Sequence, residues 1–130
     1  MRIVGIGVDV VDVARVERML ERHPGFPERV FTPAEVAYCE GKANRATCYA
    51  GRWAAREATR KALGGIRRMR WHDVRVDRAP SGAPRMVLEG TSKQRADALG
   101  VTEVLISFTH ERSIATAFAI AVEEKPGASP

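Results

Sequence analysis

The stretch Ala46 to Leu63, ATCYAGRWAAREATRKAL, decides how this chain folds. It is rich in Ala, Arg and Glu, its one interior glycine is Gly51, and Gly64-Gly65 follow at once. That composition predicts the longest helix of the molecule, closed by a glycine C-cap. Trp53, Glu57 and Lys61 recur every fourth residue and so share one face, with Ala50, Ala54 and Ala58 alongside. A carboxylate and an ammonium therefore share a stripe with small apolar residues. Taken alone, the Glu57–Lys61 spacing reads as a solvated helix pair contributing about 0.2–0.5 kcal/mol and is a weak signal for a site.

Upstream, Ile3, Gly5 and Gly7 alternate with Val4, Ile6 and Val8. This predicts a strand buried on both faces and ending near Val10, with glycines where something approaches the backbone closely. From Asp12, the apolar residues Val13, Val16, Met19 and Leu20 recur at helical spacing, while Arg15, Glu17, Arg18 and Arg22 face elsewhere. Pro24-Gly25 stops that pattern, which leaves a short amphipathic helix with a basic outer face. Thr32-Pro33-Ala34-Glu35 is a capping box with proline at the first helical position, opening a helix to about Glu40.

Downstream, His72 to Asp77 alternates as a strand, Pro80 to Pro84 turns, and Arg85 to Glu89 returns as a hairpin. Thr91 or Ser92 caps a helix through Leu99, which Gly100 closes. Val104 to Phe108 and Ile114 to Val122 supply two more strands around Thr109-His110-Glu111-Arg112. The sum is an α+β fold, one domain over residues 1–124 with about five strands and four helices. Its small, mostly antiparallel sheet packs with one long helix and several short ones. Residues 125–130 are expected to form a frayed, flexible tail.

At 130 residues the chain fits one domain able to bury a core without disulfide staples. The first residues, MRIVGIGVDVVDVARVERM, hold an apolar run too short and too charged for a signal sequence or a spanning helix, so a cytoplasmic protein without a membrane role is expected. Cys39 and Cys48 lack CxxC spacing and are expected to be reduced, structural thiols. The formal net charge of +5 favours acidic or phosphorylated partners. No Gly-rich phosphate loop is present. A small basic nucleic-acid-binding domain shares this charge, but the aromatics that stacking would need are not interleaved with the basic residues.

Three places are out of pattern. Asp9 lies within Val8-Asp9-Val10-Val11, where an ionised carboxylate costs several kcal/mol unless it meets a cation, although it could instead end the strand and cap the next helix. Asp12 is able to take that capping role. His110, at the end of an apolar strand, is a partly buried imidazole that suits a phosphate contact, a base or a structural role. Arg67, Arg68 and Arg70 either meet anionic groups or line a solvated loop.

Gly5-Ile6-Gly7-Val8-Asp9, Phe31-Thr32-Pro33-Ala34-Glu35, Arg52 to Ala58 with Lys61-Ala62-Leu63-Gly64, and Ser107-Phe108-Thr109-His110 together resemble the holo-acyl-carrier-protein synthase family. The order and spacing match from residue 3 to about 122. The resemblance implies a phosphopantetheinyl-transferase-like fold and transfer of 4′-phosphopantetheine from coenzyme A to a serine of an apo-acyl carrier protein, with release of 3′,5′-ADP. By the same resemblance, Asp9 and Glu57 hold Mg²⁺ against the pyrophosphate, and Lys61 pairs with a coenzyme A phosphate. Two acids from distant segments suffice, since Mg²⁺ takes few protein carboxylates and keeps water and phosphate oxygens.

The family pattern further implies coenzyme A contacts from Arg52, Arg56, Gly64, Gly65, Gly82, Pro84 and His110, with His110 at the nucleotide end. Glu57, Lys61 and His110 are the expected catalytic residues, and the base for the serine is left open among Glu57, a water on the metal and His110. Arg15, Met19, Arg22 and Phe26 are expected to dock the acidic carrier helix. Family members commonly carry Lys where this chain has Arg56. Arg keeps the charge but is a planar fork that holds its proton, so an impaired relative that only binds coenzyme A or the carrier is the alternative. A homotrimer is expected, in which the turn Gly82-Ala83-Pro84 and His110 of a neighbour face Asp9, Glu57 and Lys61. The apolar strand Ile114 to Ala121 helps line the contact.

Overall fold

The computed structural model describes residues 1–125, so the expected tail falls outside the described residues from position 126 onward. In chain order the elements are β1 (Arg2–Asp12), α1 (Val13–Arg22), α2 (Phe26–Val30), α3 (Pro33–Glu40), α4 (Arg45–Ala62), a 3₁₀ turn (Trp71–Asp73), β2 (Val74–Arg78), β3 (Pro84–Leu88), α5 (Gly90–Leu99), β4 (Glu103–Glu111) and β5 (Ile114–Glu123). The strands form one antiparallel sheet in the order β1-β5-β4-β3-β2, with α4 lying across β1 and β5.

The glycines of β1 set how closely α4 approaches the sheet. A Cβ at Gly5 would stand 1.9 Å from the Ala62 carbonyl oxygen, and one at Gly7 would stand 1.9 Å from that of Ala58. Only hydrogen at these positions lets helix backbone rest on strand backbone. Ala50, Ala54 and Ala58 of α4 are fully buried against Ala115, Ala117, Ala119 and Ala121 of β5 and their neighbours, so small residues from both sides make a thin, dense core.

The other face of the sheet departs from the sequence expectation. β1 is apolar on both sides, yet Ile6 is 65% exposed, Val10 62% and Phe118 of β5 53%. Val8 pairs with Phe118 and Ile6 with Ile120 in the β1–β5 ladder, which puts these side chains on one continuous surface. Among the described residues nothing covers that surface, although its composition is that of an interior.

Element ends follow the predicted caps, with local differences. Asp12, not Asp9, caps α1, its carboxylate accepting from the Ala14 amide at 3.0 Å. The Thr32–Glu35 capping box is present at the start of α3. Gly64 and Gly65 take the positive φ values of 70° and 99° that a side chain would resist. The five-residue helix α2 was not expected; it has no side-chain cap and is held by the burial of Phe26, Pro27 and Val30. His72 and Asp73 belong to the 3₁₀ turn rather than to β2, and α5 starts at Gly90 behind Glu89 rather than at a Thr or Ser cap. β4 runs on through Thr109 and His110, leaving Arg112-Ser113 as the turn before β5.

The cysteines correct a further expectation. Cys39 near the end of α3 and Cys48 in the first turn of α4 form a disulfide, with Cα atoms 5.4 Å apart. The spacing missed this because the loop at residues 41–44 reverses the chain and brings the two helix ends side by side. No helix among the described residues is long and apolar enough to cross a membrane.

Candidate active site

The closest approach of α4 to β1 creates the first cluster. Asp9 follows Gly7 on the α4 side of the strand, and Glu57 and Lys61 face it from successive turns of the helix. The Lys61 ammonium donates to Asp9 Oδ1 at 3.0 Å and to the Val8 carbonyl at 3.1 Å. One turn away, Arg60 Nε donates to Glu57 Oε2 at 2.8 Å. Each of the two carboxylates keeps 15% of its side-chain surface open to solvent. Both line an open cleft of about 490 Å³ with Asp12, Arg15, Met19, Phe26 and Trp53.

This donor set suits a hard divalent cation. Asp9 and Glu57 are hard oxygen donors facing one solvent-open cleft, so water and substrate oxygens can complete the shell of a cation held there. Among the described residues no three His, Cys, Asp or Glu side chains gather, so a cation held here would have at most these two carboxylates from the protein. The cation partners of these acids, Lys61 and Arg60, have side chains 44% and 39% exposed, and such solvent-facing pairs exchange at little cost.

Of the expected docking residues, Arg15 and Met19 project from α1 onto the rim of the same cleft. Phe26 is a core residue, 7% exposed and packed against Phe31 and Trp53, so it supports the cleft from beneath. Arg22 is exposed at the far end of α1 and does not line the cleft.

A second cluster lies apart from the first. Arg52 and His110 line an open pocket of about 570 Å³, where Tyr38, Lys42, Arg78, Phe108 and Arg112 join them. His110 is exposed rather than partly buried. Arg52 is 4% exposed, and its Nε is buried without a partner. Its Nη1 donates to Cys48 Sγ at 3.4 Å, and desolvation lowers the guanidinium pKa. Arg78 Nη1 donates to the Gly82 carbonyl at 2.9 Å, which ties the β2–β3 turn carrying Gly82 and Pro84 to this pocket.

Sequence reasoning missed Tyr38, Lys42, Arg78 and Arg112. The signal available was modest: a tyrosine on α3 and scattered basic residues on its following loop, β2 and the β4–β5 turn, which only the tertiary fold gathers. Arg67 and Arg68 lie with Arg95 around a shallow hollow separate from both clusters.

Arg56 is corrected from a coenzyme A contact to a core residue. It is fully buried, its guanidinium forks onto both carboxylate oxygens of Glu35, and its Nε donates to the Trp71 carbonyl at 3.1 Å. Burial would raise the Glu35 carboxyl, but the Arg56 guanidinium and the Thr32 and Val76 amides outweigh it and hold the pKa below its ordinary value. An Arg fork matches a buried carboxylate in a way a Lys ammonium does not.

Residues 5–121 match the family described as the 4′-phosphopantetheinyl transferase superfamily. The chain is 47% identical over 122 residues to the holo-[acyl-carrier-protein] synthase of Anaeromyxobacter dehalogenans strain 2CP-1, covering 91% of this chain and 94% of that protein. The crystal structure of holo-ACP-synthase from Plasmodium yoelii superposes with a TM-score of 0.83 at 29% identity, covering 95% of this chain and 98% of that one. The Helicobacter pylori holo-[acyl-carrier-protein] synthase, solved in complex with coenzyme A, superposes with a TM-score of 0.77 at 31% identity, covering 90% and 99%. The chain therefore belongs to the 4′-phosphopantetheinyl transferase superfamily, in its holo-[acyl-carrier-protein] synthase branch.

Proposed function

We propose that this protein transfers 4′-phosphopantetheine from coenzyme A to a serine of an apo-acyl carrier protein in a Mg²⁺-dependent reaction, releasing 3′,5′-ADP. The observation that carries this reading is the convergence of Asp9, with Lys61 paired to it, and Glu57 on one cleft whose rim bears Arg15 and Met19.

In the transfer, a bond forms from the serine oxygen to the phosphorus bearing the pantetheine arm. The bond from that phosphorus to the 3′,5′-ADP oxygen breaks, and the serine proton passes to a base. Asp9 and Glu57 are the residues that would hold Mg²⁺, which when bound neutralises charge on the pyrophosphate. Lys61 swings on its four-carbon stem from Asp9 to the donor phosphates, where its ammonium acts as a point charge. Glu57 shares the cleft with the docking rim and is one candidate, beside His110, for the base that takes the serine proton. Arg15 attracts the acidic carrier and Met19 gives it an adaptable apolar contact. Positioning and charge compensation carry most of such a reaction.

The working form is a homotrimer with sites shared between neighbours. Two features support this: the uncovered apolar face around Ile6, Val8, Val10 and Phe118, and the separation of the basic pocket from the acidic cleft within one chain. Cyclic symmetry lets one chain's cleft meet the next chain's basic pocket three times over without an open edge. The neighbour's pocket, with Arg52, His110 and the turn at Gly82 to Pro84, would then take the nucleotide end of coenzyme A. Burial of Arg56 removes the reason to expect an impaired relative, because that side chain takes no part in the cleft.

Mass spectrometry of an apo-carrier protein incubated with this protein, coenzyme A and Mg²⁺ tests the activity. A gain of one phosphopantetheine is expected. An unchanged carrier mass would overturn the reading.

A further inference from the structure

The basic pocket contains a feature that its cations alone do not explain. Lys42, from the loop after α3, holds its ammonium 4.4 Å from the Tyr38 ring centroid. Arg52, from α4, holds its guanidinium carbon at 4.4 Å from the same centroid, and Arg78, from β2, at 5.1 Å. Arg78 Nη2 also donates to the Tyr38 hydroxyl at 3.1 Å. Three cations from three elements thus converge on one phenol.

Like charges at this spacing repel, and long basic side chains left to themselves fan out into water. Among the described residues no carboxylate forms an ion pair with Lys42, Arg52 or Arg78. The nearest buried acid, Glu35, is already taken by Arg56 and by the Thr32 and Val76 amides. What offsets the repulsion is the ring itself, whose π face attracts cations and whose hydroxyl accepts from Arg78. Burial alone would raise the Tyr38 phenol, and the nearby charges of Lys42, Arg78 and Arg52 bring it below its ordinary value instead. The unpartnered Nε of Arg52 adds a buried donor without an acceptor in the same pocket.

We propose that Tyr38 is a positioning residue that gathers Lys42, Arg52 and Arg78 into one dianion-binding cluster, and so sets the preference for a donor carrying the 3′-phosphomonoester of coenzyme A. The proposal rests on the transferase reading above and names the residue that gives this pocket its selectivity. A phosphomonoester matches the cluster because it brings up to two negative charges and three acceptor oxygens for the donors Tyr38 holds together. Tyr38 itself need not touch the ligand. It is 37% exposed and off the main core, so truncating it leaves the fold in place.

The test compares coenzyme A with 3′-dephospho-coenzyme A as donors for the wild type, Tyr38→Phe and Tyr38→Ala. Tyr38→Ala is expected to raise KM for coenzyme A about tenfold, through lost cation–π and charge-assisted contacts, while KM for the dephospho donor and kcat for both stay within about twofold. Tyr38→Phe keeps the ring and loses only the Arg78 bond, so it is expected to recover most of the discrimination. Equal KM increases for both donors, or no increase for either, would overturn the proposal. Calorimetry with 3′,5′-ADP and 5′-AMP reads the same preference without turnover: Tyr38→Ala should weaken the first about tenfold and leave the second unchanged, and parallel changes would again overturn it. A wild type that transfers from neither donor yet binds 3′,5′-ADP with this Tyr38-dependent preference would refute the transferase reading and leave the cluster standing.

Discussion

Arg56 and Glu57 are consecutive on α4 and live in different surroundings. Arg56 is fully buried and locked on Glu35, while Glu57 faces an open cleft and pairs with an Arg60 side chain that is 39% exposed. A helix turns by about 100° per residue, so neighbours in sequence serve different faces. The core pair is inaccessible and satisfied on every side, which makes it a stability element. The cleft acids have partners that solvent or a ligand can replace, which is what a binding site requires. The difference lies in exposure and in who can leave, not in residue type.

The sharpest way to break this comparison is to remove one member of the core pair. Glu35→Gln would leave the Arg56 charge buried without a counter-charge, and the expected loss is about 3–5 kcal/mol, read as a lower denaturant midpoint. Because the folded Glu35 carboxyl is held below its ordinary value of 4.5, its contribution is fully present above that pH and fades as pH falls through the folded value. The acid side of the wild-type stability curve should therefore steepen below about pH 4.5, and Glu35→Gln should flatten that part. A variant as stable as the wild type would mean the pair contributes nothing.

On the cleft side the expected signature is reversed. Asp9→Asn and Glu57→Gln should each lower phosphopantetheine transfer on the order of a hundredfold or more, while thermal unfolding stays close to wild type. Wild-type-like transfer by either variant would remove that residue from the proposed metal site. Arg15→Glu, on the rim, should act more mildly, raising KM for the carrier about tenfold with little change in KM for coenzyme A, because rim charges act on encounter and docking. Equal losses for both substrates would contradict a docking role.

Much of this was legible in the sequence, for reasons that particular residues make plain. Gly5 and Gly7 announced a close approach because no other residue tolerates one, and the Thr32–Glu35 box marked a helix start through local hydrogen bonds alone. Asp9 stood out because its neighbours are apolar. From the family pattern Arg56 instead reads as a coenzyme A contact, because nothing in its spacing points to the distant Glu35 that the fold brings beneath it. The disulfide, the cations around Tyr38 and the short α2 were hidden for the same reason: each depends on contacts between segments that spacing does not encode. The open face of β1 was misjudged in a revealing way. Its pattern is that of a buried strand, yet Ile6, Val8 and Val10 are open to solvent, and in the trimer proposed above a neighbouring chain would cover them.

That expectation is what a mixed-chain assay tests most directly. Asp9→Asn spoils only the acidic cleft, and Lys42→Glu with His110→Ala spoils only the basic pocket, so neither preparation should transfer phosphopantetheine at an appreciable rate alone. If each site joins the cleft of one chain to the pocket of the next, co-refolding the two in equal amounts should restore about a quarter of the wild-type rate, the fraction of random interfaces that unite two intact halves. A mixture no more active than its separate components would contradict sites shared between neighbouring chains.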